Sequence, residues 1–183
     1  MKILITGNPK FGLASELFKL YPDATFVSRA SGYDLTTREG YRKLGEIIAD
    51  YDVLVNSSAL WKFNQTLVLE SVYKKCVELN HNMRIICIGS TTDRVKKSTS
   101  WIYNAEKKAL RDFSNSLSLT GVWDSGPTVS LISFGSLSNV QEKHPGRVCL
   151  ELARAASYVK WLIDQPSDIC INEISIDPLQ RNV

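Results

Sequence analysis

The chain has 183 residues, 44% of them hydrophobic and 22% charged, with a formal net charge of +3. That length and composition suit one globular domain over residues 1–183 with its own core, which excludes disordered and fibrous classes. The charge excess is too small to argue for a nucleic-acid partner, and apolar runs such as Ile85-Ile86-Cys87-Ile88 fall far short of the ~20 residues of a membrane span. Met1-Lys2-Ile3-Leu4-Ile5-Thr6-Gly7 passes from apolar residues straight into a turn, so it reads as a first strand and not as a signal peptide. Helical periodicity over 12–20 leads to a strand at 24–28, a helix at 37–49 and a strand at 52–56. A helix at 64–80, a strand at 84–89, a helix at 101–119 and a strand at 128–134 follow, then a helix at 148–164 and a strand at 169–176. Alternating strands and helices predict an α/β fold: a doubly wound parallel sheet of about six to seven strands with helices on both faces. Between Ser28-Arg29 and Gly32-Tyr33-Asp34-Leu35 there is no room for the dozen or so residues of a parallel crossover, so that edge of the sheet is expected to be trimmed to six strands.

Cys76, Cys87, Cys149 and Cys170 show no short spacing, and they read as free thiols of a cytoplasmic protein. His81 and His144 lie far apart with no ligand pair beside them, so no metal site is expected.

Three motifs carry chemistry. The first strand runs into Thr6-Gly7-Asn8-Pro9-Lys10-Phe11-Gly12-Leu13-Ala14 and then a helix, a turn whose free N–H groups suit a pyrophosphate. The second strand ends on Ser28-Arg29, where a guanidinium favours a 2′-phosphate and an acidic residue would repel it; Lys10 adds a second cation. Tyr103 and Lys107 stand at i and i+4 on one helix face, where an ammonium lowers a phenol's pKa, and Ser90 precedes Tyr103 by thirteen residues.

Together these residues resemble the short-chain dehydrogenase/reductase family over almost the whole chain. Thr6-Gly7 with Gly12 matches its glycine turn, Asp34-Leu35 its adenine-contacting pair, and Asn56-Ser57-Ser58-Ala59 its Asn-Asn-Ala-Gly motif. Ser90, Tyr103 and Lys107 match its catalytic triad, Asn64 falls on its fourth catalytic position, and Phe134-Gly135-Ser136 looks like the Pro-Gly segment beside nicotinamide. The glycine turn is one residue longer than usual, and the chain is shorter than most members. The resemblance implies a Rossmann-type fold and NADP in preference to NAD. It places Gly7, Asn8, Lys10, Phe11, Gly12, Leu13, Ser28, Arg29, Asp34, Leu35, Ser57, Ser58, Ala59, Phe134, Gly135 and Ser136 against that cofactor. Ser90 would hold a substrate carbonyl, Tyr103 exchange its proton, Lys107 lower the tyrosine pKa and hold the nicotinamide ribose, and Asn64 hold a relay water. A homo-oligomer, dimer or tetramer, through the helices at 64–80 and 101–119 is implied as well.

The loop 136–148 is short and polar, with Glu142, Lys143 and Arg147, which argues against a buried steroid or fatty-acyl pocket. Trp61, Phe63 and Trp101 suit either a small substrate site or plain packing. Two other readings stand beside the enzyme. One is an NADP(H)-binding sensor without turnover. The other is a sugar-nucleotide epimerase, which needs a larger C-terminal domain than the few residues after the last strand supply.

Overall fold

The computed structural model describes residues 1–94, 100–123 and 126–179, the backbone alone at 121–123. Its elements in chain order are β1 (Ile3–Thr6), α1 (Gly12–Leu20), β2 (Thr25–Val27), α2 (Arg38–Ile47), β3 (Val53–Asn56) and α3 (Asn64–Glu78). They continue as β4 (Arg84–Ser90), α4 (Ile102–Trp123), β5 (Thr128–Phe134), α5 (Leu152–Ile163) and β6 (Glu173–Ile176). The strands form one six-stranded sheet in the order β2-β1-β3-β4-β5-β6, with every pairing parallel.

Successive strand residues point to opposite faces, and here both faces are dry. Ile3, Ile5, Val53, Val55, Ile86, Ile132 and Phe134 pack with Leu13, Leu17, Ala156 and Val159, the inner faces of α1 and α5. Leu4, Leu54, Ile85, Val129 and Leu131 pack with Leu44, Val68, Leu69, Val72 and Leu110, the inner faces of α2, α3 and α4. Arg84 at the start of β4 fastens the end of α5, its guanidinium donating to the carbonyls of Ile163 at 2.8 Å, Gln165 at 2.6 Å and Pro166 at 2.7 Å.

The elements depart from the predicted ones where local bonds intervene. After Val27 the chain enters a 3-10 turn at Arg29–Ser31, and the Ser28 N–H donates to Ser31 Oγ at 2.8 Å, so β2 stops early as the sheet edge. The helix expected from 148 begins at Leu152, because Leu150 donates to the Ser136 carbonyl at 2.8 Å and pairs with Leu137 as a β-bridge. The last strand is limited to Glu173–Ile176. Among the described residues no helix is long and apolar enough to cross a membrane.

Candidate active site

β2 and β3 flank β1 on opposite sides, so the winding reverses there, and in open α/β sheets a crevice opens at such a point beyond the carboxyl ends of the strands. A cleft of about 1430 Å³ lies there, lined from the ends of β1 to β5. It exceeds the volume of an ordinary small-ligand pocket. Every residue expected to hold a cofactor or carry catalysis lines it except Lys10. Lys10 is exposed, and its N–H closes a local turn on Asn8 Oδ1 at 2.9 Å, which leaves the turn's other residues to form the wall. A second cleft of about 690 Å³ sits among Met1, Leu20, Tyr21, Asp23 and Tyr51, away from the candidate chemistry.

The glycine turn is held by the Gly7 N–H, which donates to the Val27 carbonyl at 2.9 Å. Gly7 has φ +141°, and a Cβ there would stand 3.0 Å from that of Ala14, so the turn lies close against α1. Phe11 occupies the N-cap of α1 and offers no side-chain acceptor. The first amides of that helix have no intrahelical partner, so this end is free to meet an anion. At the outer edge stand Ser28, Arg29, Asp34 and Leu35. Asp34 Oδ1 accepts from Thr36 N–H at 3.1 Å and Thr36 Oγ at 2.7 Å. Those bonds, aided by the Arg29 charge, hold its carboxyl below the usual aspartate range. Gly40 of α2 packs against this turn, since a Cβ there would meet the Asp34 carbonyl oxygen at 1.9 Å. On the inner side, buried Thr6 Oγ accepts from the N–H groups of Ser57 and Ser58 at 2.9 and 3.0 Å, fixing the loop that ends on Ala59.

Ser90 ends β4, and Tyr103 and Lys107 reach it from α4, so the three residues do converge. Ser90 and Tyr103 line the same part of the cleft, and the serine hydroxyl favours the ionised phenol. Desolvation by burial nevertheless raises the Tyr103 pKa above the usual phenol value, Ser90 opposing the rise and Glu106 and Asp93 adding to it. This corrects the expected lowering by Lys107. The Lys107 ammonium lies 5.5 Å from the Tyr103 ring centre, but its bonds go inward, to Gln65 Oε1 at 2.6 Å and the Ile88 carbonyl at 3.1 Å. Desolvation by burial lowers its own pKa from 10.5 to about 8.

Asn64, expected to hold a relay water, lines the cleft with both ends of its side chain bonded to protein: its Oδ1 accepts from the Tyr41 hydroxyl at 2.5 Å and its Nδ2 donates to the Trp61 carbonyl at 2.5 Å. Its neighbour Gln65 takes the lysine. Besides accepting from Lys107, Gln65 Nε2 donates to the Asn56 carbonyl at 2.9 Å and the Ile88 carbonyl at 3.0 Å, and Asn56 Nδ2 donates back to the Gln65 carbonyl at 3.0 Å. Gln65 and Glu106 are the residues the sequence reading missed. Buried Glu106 Oε1 accepts from the N–H groups of Lys62 at 2.5 Å and Phe63 at 3.4 Å, which anchors the loop carrying Trp61. Its position one residue before Lys107 was the available signal.

No protein-family model matches the sequence, and neither does any curated protein. Solved structures do match. A serine dehydrogenase from Escherichia coli is 18% identical with a TM-score of 0.74, covering 96% of this chain and 97% of its own. A short-chain dehydrogenase from Burkholderia cenocepacia in complex with NADP is 14% identical with a TM-score of 0.76, covering 96% of this chain and 89% of its own. The fold is that of the short-chain dehydrogenases. An acetoin dehydrogenase from Enterobacter cloacae is similar too, at 19% identity and a TM-score of 0.72, covering 96% of this chain and 94% of its own. The Rossmann-type architecture read from the alternating strands and helices is therefore present along nearly the full length of the short-chain dehydrogenase fold.

Proposed function

We propose that this protein is an NADP(H)-dependent oxidoreductase of the short-chain dehydrogenase/reductase family, acting between a small carbonyl compound and its alcohol. The observation that carries the reading is the convergence of Ser90, Tyr103 and Lys107 on a cleft whose far side is a glycine turn at an uncapped helix start. The residues present fit a dinucleotide. The first amides of α1 would meet its pyrophosphate, Ser28 and Arg29 a 2′-phosphate, Asp34 and Leu35 the adenine, and Ser57, Ser58 and Ala59 the middle. Phe134, Gly135 and Ser136 would border the nicotinamide. Bound there, the nicotinamide would supply or accept the hydride.

The chain's own residues do the rest. Ser90 donates a hydrogen bond to the carbonyl oxygen, where negative charge develops during reduction. The Tyr103 hydroxyl gives its proton to that oxygen in reduction and takes it back in oxidation. Lys107 supplies positive charge behind the tyrosine, held there by Gln65 and the Ile88 carbonyl, which makes Gln65 its positioning residue. The buried free thiols Cys76 and Cys87 support a cytoplasmic setting. Exposed Leu67 and Val77 on α3 and Ile102 and Leu119 on α4 support a dimer through those helices.

The short polar loop 136–148 and the altered glycine turn, with Phe11 at the helix N-cap, favour a second reading, an NADP(H)-binding protein with little turnover. A carbonyl-reductase screen with NADPH, run on the wild type and Tyr103→Phe, separates the two. The enzyme reading expects turnover that falls at least a hundredfold in the variant with NADPH affinity unchanged. Turnover that survives in Tyr103→Phe contradicts the assigned role, and NADPH binding without any turnover selects the sensor.

A further inference from the structure

We propose that Trp61 and Trp101 form the substrate subsite of this cleft and select carbonyl compounds that carry a flat aromatic group beside the carbonyl. The inference rests on the hydride-transfer reading and adds to it the class of compound reduced or oxidised.

The two indoles come from different parts of the chain and meet the same phenol. Ring centres are 5.6 Å apart for Trp61 and Tyr103 and 4.8 Å apart for Trp101 and Tyr103, with planes inclined by 57° and 31°. Both tryptophans line the cleft, and each keeps 55% of its surface exposed. The tyrosine that exchanges the proton therefore touches two large, half-exposed aromatic side chains.

The backbone at both tryptophans is held by hydrogen bonds. Trp61 precedes Lys62 at φ 59° and Phe63 at φ 61°, a left-handed path that non-glycine residues take only at an energetic cost. Buried Glu106 holds that path through both N–H groups, and Asn64 Nδ2 grips the Trp61 carbonyl at 2.5 Å. At the other tryptophan the Asn104 N–H donates to the Trp101 carbonyl at 3.1 Å, while Asn104 Nδ2 donates to the Thr92 carbonyl at 2.6 Å. Strain of this kind gathers where a chain is held for a ligand. Leu60, Leu137 and Val140 supply further apolar lining.

Rigid aromatic faces reward a flat ring with offset or edge-to-face stacking beyond the area it covers, whereas a puckered ring of equal size gains only the area. Acetophenone and cyclohexyl methyl ketone make that comparison, because they share the methyl carbonyl and differ in the ring. Ligand-observed NMR titration of the full chain, with and without NADPH, reads both affinities and needs no turnover. Acetophenone is expected to bind about fivefold more tightly. Trp61→Leu and Trp101→Leu should each bring the two ketones within about twofold, while the corresponding Phe variants keep the preference.

NADPH affinity measured on the same samples shows that each variant is folded and separates the two claims. Equal binding of both ketones, binding of neither, or a preference that survives both Leu variants overturns the subsite even where NADPH binds. Loss of the preference in the Phe variants as well overturns stacking as its cause. Failure of NADPH to bind the wild type counts against the hydride-transfer reading, and the ketone comparison is then scored on the same terms.

Discussion

Lys107→Met should change the pH dependence of stability in a way that only a buried ammonium produces. Lys107 is 6% exposed, and its pKa falls from 10.5 to about 8 because burial desolvates the charge. The folded pKa lies below the unfolded one, so between about pH 8 and 10.5 the unfolded chain binds more protons than the folded one. Stability therefore rises with pH across that window, and below it the protein carries the whole penalty, about 3 kcal/mol for a shift of this size. Methionine removes the charge but leaves Gln65 Oε1 without its donor, a loss of about 1–3 kcal/mol for a buried acceptor. The variant is thus expected within about 2 kcal/mol of the wild type at pH 7, despite losing both of the lysine's hydrogen bonds. Urea unfolding at pH 7, 8, 9 and 10 tests this, with the difference between the two proteins as the readout. Taking the difference removes the background from the tyrosines and from Cys76, whose raised pKa values pull stability the other way. The account expects wild type minus variant to climb with pH by up to about 3 kcal/mol. A flat difference would show that the Lys107 ammonium is not buried as described.

Gln65→Glu places a carboxylate against the Lys107 ammonium and should move the alkaline limb of kcat/KM upward from near pH 8 by about one unit, as a close opposite charge does. An unmoved limb would remove Gln65 as the positioning residue. Gly40→Ala forces a methyl group toward the Asp34 carbonyl, which a Cβ would approach to 1.9 Å. The turn must shift, so thermal unfolding should report a loss of at least about 2 kcal/mol, in the upper range of overpacking costs, and NADPH affinity should fall with it. Wild-type stability in that variant would contradict the packing of α2 on the turn.

Much of the fold was legible because a parallel sheet covered on both faces writes itself as short apolar runs alternating with helical periodicity. Among the described residues the strands and α-helices lie where that pattern puts them, apart from their ends. The ends moved where single hydrogen bonds decide, as at Leu150, whose bridge to Leu137 delays α5. Ser90, Tyr103 and Lys107 could be found because their spacing within one strand-to-helix unit is local. The Gln65 contact could not, since amide and ammonium are 42 residues apart and meet only after α3 and α4 pack side by side. The Tyr103 pKa was misjudged for a related reason. Spacing shows which charge is near, but the direction was set by desolvation, which depends on the packed surroundings. Lys10 lies outside the cleft wall because spacing alone does not show which way a side chain of the four residues between Gly7 and Gly12 faces; its backbone N–H is turned onto Asn8 Oδ1 and its side chain is exposed.

The most direct test is a calorimetric titration of the wild type and Arg29→Asp with NADPH and then NADH at fixed salt. The account predicts saturable binding of one nucleotide per chain with NADPH the tighter, and a loss of NADPH affinity in Arg29→Asp at least tenfold greater than the loss for NADH. Equal losses for the two nucleotides would remove Arg29 from the 2′-phosphate. No binding of either nucleotide to the wild type would contradict the reading of the cleft as a dinucleotide site.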